Sequence, residues 1–222
     1  MNLIDSHCHL DFEAFDEDRH TVLANCQQLG LTDIVVPGVT VKTWDRLLTV
    51  CQQSEILHPA LGMHPMFMQQ HQADDIAQLD KYVSKHKPVA IGEIGLDFYI
   101  ADHDKQSQTA LFEQQLNIAK KYDLPVIFHV RKAHDQVLML LKKHQITKGI
   151  VHAFSGSEQQ AKNYIKQGFL LGIGGAITHK RATRLRELFS SLSLSNIVLE
   201  TDAPDMPLAN MTNTRNSPEN IP

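Results

Sequence analysis

Eight short runs rich in Val, Ile and Leu recur along this chain, each followed by a longer polar segment. The runs lie at 2–7, 33–38, 56–64, 88–95, 124–130, 149–156, 169–175 and 196–202. Segments with helical character separate them, at about 17–30, 41–54, 72–86, 106–122, 134–145, 157–168 and 179–191. In the fourth, Ala110, Leu111, Phe112, Leu116, Ile118 and Ala119 recur at close to helical spacing. Apolar strands separated by helices form a parallel sheet covered on both faces. Eight units are the number for a (β/α)8 TIM barrel. A doubly wound open sheet is the competing architecture, but no glycine-rich phosphate loop follows the first run. The expected fold is therefore an α/β barrel.

The count leaves one helix short. After the eighth run, residues 203–222 are polar and carry four prolines, so they read as a loop. The expectation is a truncated C-terminal end without the final helix, exposing part of the barrel's outer surface. No Gly/Ser-rich or Pro-rich linker interrupts the interior, so residues 1–222 are expected to form one domain.

Several classes are set aside by composition. No basic segment followed by an apolar one opens the chain, and no apolar run approaches the roughly 18 residues of a membrane span. Three scattered cysteines, Cys8, Cys26 and Cys51, do not make a disulfide framework, so a cytoplasmic location is expected. A net charge of -4 argues against a general nucleic-acid coat protein. No membrane and no obligate protein partner are implied. The 13 histidines are the unusual total, and their positions decide what they mean.

In a barrel, the C-terminal strand ends face the active site. The first run delivers Asp5, His7 and His9 at alternate positions, on one face of an extended chain. The fourth carries Glu93, the fifth ends in His129, the sixth carries His152 and the eighth ends in Asp202. A lone histidine at a strand end is more often a satisfied polar residue than a ligand. His7, His9, Glu93, His129, His152 and Asp202 together at one mouth need a compensating charge, because unpartnered buried ions cost several kcal/mol. Four imidazoles and two carboxylates suit two divalent cations, with a carboxylate able to bridge them. Imidazole favours zinc and other first-row metals, and carboxylate favours Mg²⁺ or Mn²⁺.

Other residues carry two readings each. Glu200 and Asp5 lie one layer deeper, as partners orienting ligands or as buried polar contacts. His64 in 62-GMHP-65 is a phosphate or substrate contact, or a plain strand-end turn. Phe12, Phe67, Phe98 and Tyr99 stack bases or pack beneath the loops. Cys8 points away from its neighbouring histidines and is a core residue. His20, His71, His86, His103 and His144 read as solvated surface.

Taken together, the segments 5-DSHCHLD-11, 62-GMHP-65, 92-GEIGLDFY-99, 125-PVIFHVR-131, 151-VHAFSG-156 and 199-LETDAP-204 resemble the TatD family of metal-dependent deoxyribonucleases, within the amidohydrolase-like barrels. They span almost the whole chain in the family's order. The resemblance implies His7 and His9 on one metal, His129 and His152 on a second, and Glu93 bridging them. It implies that Asp202 is a ligand that also positions or deprotonates the attacking water. Arg131 and His64 would hold phosphate oxygens. The stretch 213-NTRNSPE-219 is similar to an Arg-Asn-x-Pro segment that brings Arg215 near the substrate. Family members continue into a final helix that this chain lacks. The implied activity is exonuclease-like hydrolysis of DNA ends or single-stranded DNA by a two-metal-activated water. The alternatives are another ester or amide hydrolase, such as an aminoacyl-tRNA deacylase, and a catalytically weak metal-binding barrel.

Overall fold

The computed structural model describes residues 2–101, 104–211 and 215–221; His103, Asn213 and Thr214 lie outside them. The strands are β1 (Leu3–Asp5), β2 (Leu31–Pro37), β3 (Leu57–Leu61), β4 (Ala90–Asp97), β5 (Val126–Arg131), β6 (Gly149–Val151), β7 (Phe169–Ile173) and β8 (Ile197–Leu199). Between them run α1 (Arg19–Gln28), α2 (Trp44–Cys51), α3 (Asp75–His86), α4 (Lys105–Lys121), α5 (His134–His144), α6 (Glu158–Lys166) and α7 (Thr183–Ser190). Each strand pairs in parallel with the next, in sequence order from β1 to β8. The two ends of the sheet meet just past the strands. Ser6 N donates to the Leu199 carbonyl (3.0 Å) and Asp202 N to that of His7 (2.8 Å), which closes the barrel.

Helices cover the sheet by burying apolar stripes. Trp44, Phe112, Phe128, Tyr164 and Phe169 are fully buried, each worth about 1.5–3 kcal/mol relative to exposure. Phe128 of β5 meets Phe112, Tyr164 and Phe169 with ring centroids 5.6 to 6.5 Å apart, so β5 is keyed into α4 and α6. All eight residues of β4 are buried. Cys8 is a buried core thiol, as the sequence implies.

No α-helix follows β8 among the described residues. The tail makes one 3-10 turn at Pro218–Asn220, tied to α1 by Asn25 Nδ2 donating to Glu219 Oε1 (2.6 Å). The outer face beside it is correspondingly bare: Ile4 of β1 is 49% exposed and Leu199 of β8 is 42% exposed.

Several strands end earlier than the apolar runs predict. His7, His9, His152 and Asp202 all lie past the last strand residue. Buried carboxylates capture the backbone donors there, in place of the next strand. Asp5 accepts from His7 N (3.1 Å) and Thr201 N (3.0 Å), and Glu200 accepts from Ala153 N (2.7 Å). Ala153 and Asp202 also adopt positive φ, which ends extended pairing. The chain stays hydrogen-bonded across His7–His9, through Cys8 N to Val35 O (3.0 Å) and His9 N to Ala203 O (2.7 Å), so both imidazoles still face one way.

Candidate metal centre

Four ring nitrogens and carboxylate oxygens crowd together at the C-terminal mouth. His7 Nε2 lies 3.3 Å from His9 Nε2, 3.2 Å from Glu93 Oε2 and 3.6 Å from Asp202 Oδ1. His9 Nε2 lies 3.7 Å from the same Glu93 oxygen and 3.6 Å from the same Asp202 oxygen. Ligands held about 2.0–2.2 Å from one cation in a tetrahedral array sit roughly 3.3–3.6 Å apart, so His7, His9 and Asp202 fit three corners of a divalent-cation site, with Glu93 Oε2 beside the two histidines. The other oxygen of each carboxylate faces elsewhere. Glu93 Oε1 is 3.7 Å from His129 Nδ1 and 3.1 Å from His64 Nε2. Asp202 Oδ2 is 3.5 Å from His152 Nε2, whose ring stacks on that of His7 at 3.7 Å.

Local backbone geometry aims Glu93. The β4–β5 register slips between Ile91 and Ile94, a bulge at Gly92–Glu93. Gly62 and Gly92 permit it: a Cβ on Gly62 would sit 2.7 Å from the Gly92 carbonyl carbon, and one on Gly92 2.8 Å from Ile127 Cβ.

The outer partners set which nitrogen of each ring is free. His9 Nδ1 points at the Pro37 carbonyl (3.2 Å), an acceptor, so it carries the proton and leaves Nε2 as a lone pair. His129 Nε2 meets Asp97 Oδ2 (2.8 Å), which frees Nδ1 toward Glu93. His152 Nδ1 lies 3.1 Å from Glu200 Oε1, out of line for a hydrogen bond, with Nε2 toward Asp202. His64 is the opposite case. Its Nδ1 accepts from Met66 N (3.1 Å), so in the neutral ring Nε2 holds the proton and donates to Glu93. His64 is thereby suited to orient Glu93 rather than to ligate, and it is buried like the cluster around it.

Charge follows the same geometry. Burial alone would raise the Glu93 carboxyl, but His64, His7 and His152 outweigh it and hold it well below the usual range. Asp202 is likewise drawn down to about 2, chiefly by His152 acting against burial. Burial would lower His152, yet Glu200 and Asp202 hold it well above the ordinary imidazole value. Burial and the neighbouring His152 push His7 down. Carboxylates held negative favour a cation, and His152, protonated while it faces Asp202, would have to release that proton in order to ligate one.

Of the deeper pair, Glu200 faces His152, whereas Asp5 touches no imidazole. Asp5 instead accepts from Thr201 Oγ1 (2.6 Å) and from two backbone N–H groups, stapling β1 to the chain after β8. Burial raises its carboxyl to about 7. Asp97 is a site residue that the strand-end reading passed over. Its signal was present, since it stands four residues past Glu93, on the same face of an extended chain. Gln108 on α4 grips both backbone groups of Asp97 (2.9 and 3.0 Å). Seven residues on, Gln115 grips both of Met63 (2.8 and 3.0 Å), next to His64.

The two arginines diverge from the cluster. Arg131 stacks over Tyr99 at 3.7 Å and lines the same cavity as His129 and His152. Arg215 is not brought to the cluster. It makes paired contacts to Asp18 (2.8 and 2.7 Å) and covers the Phe15 ring, because the tail lies against the loop after β1. Phe12 stacks on His9 (4.6 Å) and Phe67 sits edge-on to His64 (5.9 Å). Tyr99 is 58% exposed, whereas Phe98 is partly buried against the core with Lys105 over its ring. Three histidines read as surface are partly buried: His71 meets the His64 carbonyl (2.9 Å), His86 lies beside the Tyr82 ring (5.4 Å between centroids), and His144 meets Glu113 and Asn117.

Comparison with known proteins gives the family and agrees with the fold. Residues 4–222 match the family described as TatD related DNase. The chain is 41% identical to the uncharacterized metal-dependent hydrolase YjjV of Escherichia coli K12, over 97% of this chain and 85% of that one. It is 29% identical to the 3'-5' ssDNA/RNA exonuclease TatD of Erwinia tasmaniensis, over 91% of this chain and 80% of that one. The crystal structure of YjjV superposes with a TM-score of 0.93, covering 98% of this chain and 85% of that one.

Proposed function

Because the chain belongs to the TatD-related DNase family of metal-dependent hydrolases, we propose that it is a deoxyribonuclease that removes nucleotides from the ends of single-stranded DNA. The observation that carries the reading is the pair of facing nitrogens on His7 and His9, closed in by one oxygen each of Glu93 and Asp202. His7, His9, Glu93 and Asp202 would hold one cation. His129 and His152, with the remaining oxygens of Glu93 and Asp202, would hold a second. Mg²⁺, Mn²⁺ and Zn²⁺ all suit such mixed donors. When bound, such ions act as Lewis acids toward a phosphoryl oxygen and lower the pKa of water toward neutrality.

The residues of the chain supply the rest. Asp202 is ionised at neutral pH and lies near His7, His9 and His152, so it can orient the attacking water by accepting a hydrogen bond from it. His64 donates to Glu93 and keeps that carboxylate turned between the two halves of the site. Asp97 fixes the ring of His129 by a hydrogen bond, and Glu200 sets its charge 3.1 Å from His152 Nδ1. Arg131 lies at the cavity wall, where a guanidinium offsets charge growing on phosphate. Cys8 is not the nucleophile: it is buried, with its thiol pushed well up by burial.

The test is hydrolysis of an end-labelled single-stranded oligonucleotide with Mg²⁺, Mn²⁺ or Zn²⁺, with chelator, and with Glu93→Ala. Metal-dependent release of nucleotides, lost in the variant, is expected. A folded, metal-loaded protein that releases none while hydrolysing aminoacyl esters or amides would replace the nuclease reading.

A further inference from the structure

Three depressions meet at the loop after β6. One, of about 390 Å³, holds His129, His152 and Arg131. A second, of about 590 Å³, shares Arg131 and Ser155 and continues past Tyr99 and Lys132. The third, of about 1250 Å³, shares Ser155, Ala176, Leu185 and Met206 with the first and runs outward past Arg181 and Arg184. The metal centre therefore opens into two arms.

The arginines differ in how they are used. Arg19 and Arg46 pair with Asp16, and Arg215 pairs with Asp18. Arg131 covers Tyr99. Arg186 donates to the carbonyls of Ile177, His179 and Lys180 (2.7 to 3.0 Å), which pins the loop before α7. Arg181, on that pinned loop, and Arg184, in the first turn of α7, are exposed and have no ion pair or side-chain hydrogen bond among the described residues. Of the carboxylates in the same arm, Glu158 is already paired with Lys162 (2.6 Å), which leaves Glu187. The segment 179-HKRATR-184 holds three lysine or arginine side chains and no acid, in a chain whose net charge is -4.

We infer that the larger arm carries the sugar–phosphate backbone of a single strand away from the metal centre, with Arg181 and Arg184 on its phosphates. The inference rests on the nuclease reading above. A polyanion accounts for two uncompensated guanidiniums fixed along a groove that opens from the site, and a guanidinium fork matches phosphate geometry. The groove is larger than one terminal nucleotide needs, so several successive nucleotides are engaged. The other arm, with Tyr99 exposed and stacked by Arg131, provides a face for a base near the reacting end.

The test compares the protein with its Arg181→Gln/Arg184→Gln variant. Binding of fluorescein-labelled dT12 and rU12 is followed by anisotropy in chelator, so that nothing is cut, at several salt concentrations. Each lost phosphate contact lowers the log–log salt slope by about 0.7, so the variant's slope should fall by about 1.4. With metal restored, the ratio of kcat/KM for a dodecamer to that for bis(p-nitrophenyl) phosphate should fall about tenfold, mainly through KM. Equal loss on dT12 and rU12 assigns the contacts to phosphate; loss on one alone would overturn that and place them on the sugar. An unchanged slope and ratio would overturn the arm and leave the nuclease standing. If the unmodified protein hydrolyses the small diester but neither binds nor cuts oligonucleotides, the nuclease reading fails and the arm with it.

Discussion

Nε2 of His7 stands 3.3 Å from Nε2 of His9, with His9 Nδ1 already committed to the Pro37 carbonyl. His9 Nε2 is a lone pair and His7 Nε2 faces it beside the Glu93 and Asp202 oxygens, a grouping that favours a positive charge between them. Filling the site should therefore stabilise the fold. Mn²⁺ at 100 times its dissociation constant should add about 2.7 kcal/mol to the unfolding free energy, read as a rise in Tm. In His7→Ala/His9→Ala most of that rise should vanish, and a full rise in this variant would place the ion elsewhere.

His64 and His129 both approach Glu93 Oε1, but only His129 has the nitrogen facing it free for a metal. Calorimetric titration should find two cations in His64→Gln, with activity reduced, and one fewer tight site in His129→Ala. Loss of a cation in His64→Gln would make His64 a ligand.

Gln108 and Gln115 each close two hydrogen bonds on a buried backbone, at Asp97 and Met63. Replacing either by Leu strands a buried donor and acceptor, each costing about 1–3 kcal/mol. Denaturant unfolding of Gln108→Leu and Gln115→Leu should show losses of that order, whereas exposed Gln159→Leu should change stability little.

His134 packs against Phe154 and Tyr164, and burial lowers its pKa to about 4. The unfolded chain, with an imidazole near the ordinary 6.5, then binds more protons than the folded one between pH 6.5 and 4. The stability this residue permits is complete above 6.5 and is lost as pH falls toward 4. The Tm of His134→Gln should fall less steeply across that window than that of the unmodified chain. Parallel curves would refute the assignment.

Much of this architecture was legible because it is periodic. Continuous apolar runs gave the eight strands, and alternation gave the shared direction of His7 and His9. What escaped was set by tertiary partners that no spacing records. The true strand ends depend on Asp5 and Glu200 capturing backbone N–H groups from other segments. The role of His64 depends on the Met66 N–H, which fixes its tautomer. Arg215 looked like a substrate residue from its motif, but Asp18 and Phe15 hold its guanidinium. Asp97 was readable from its register with Glu93, whereas its partner His129 comes from the neighbouring strand.

The central claim is a pair of cations bridged by Glu93. Crystals soaked in Mn²⁺ and measured at the manganese absorption edge test it most directly. The account predicts two anomalous peaks about 3.5–4 Å apart, on either side of the Glu93 carboxylate. One beside His7 and His9 and one beside His129 are expected, with the peak pair lost in Glu93→Ala. A single peak, or peaks away from Glu93, would contradict it.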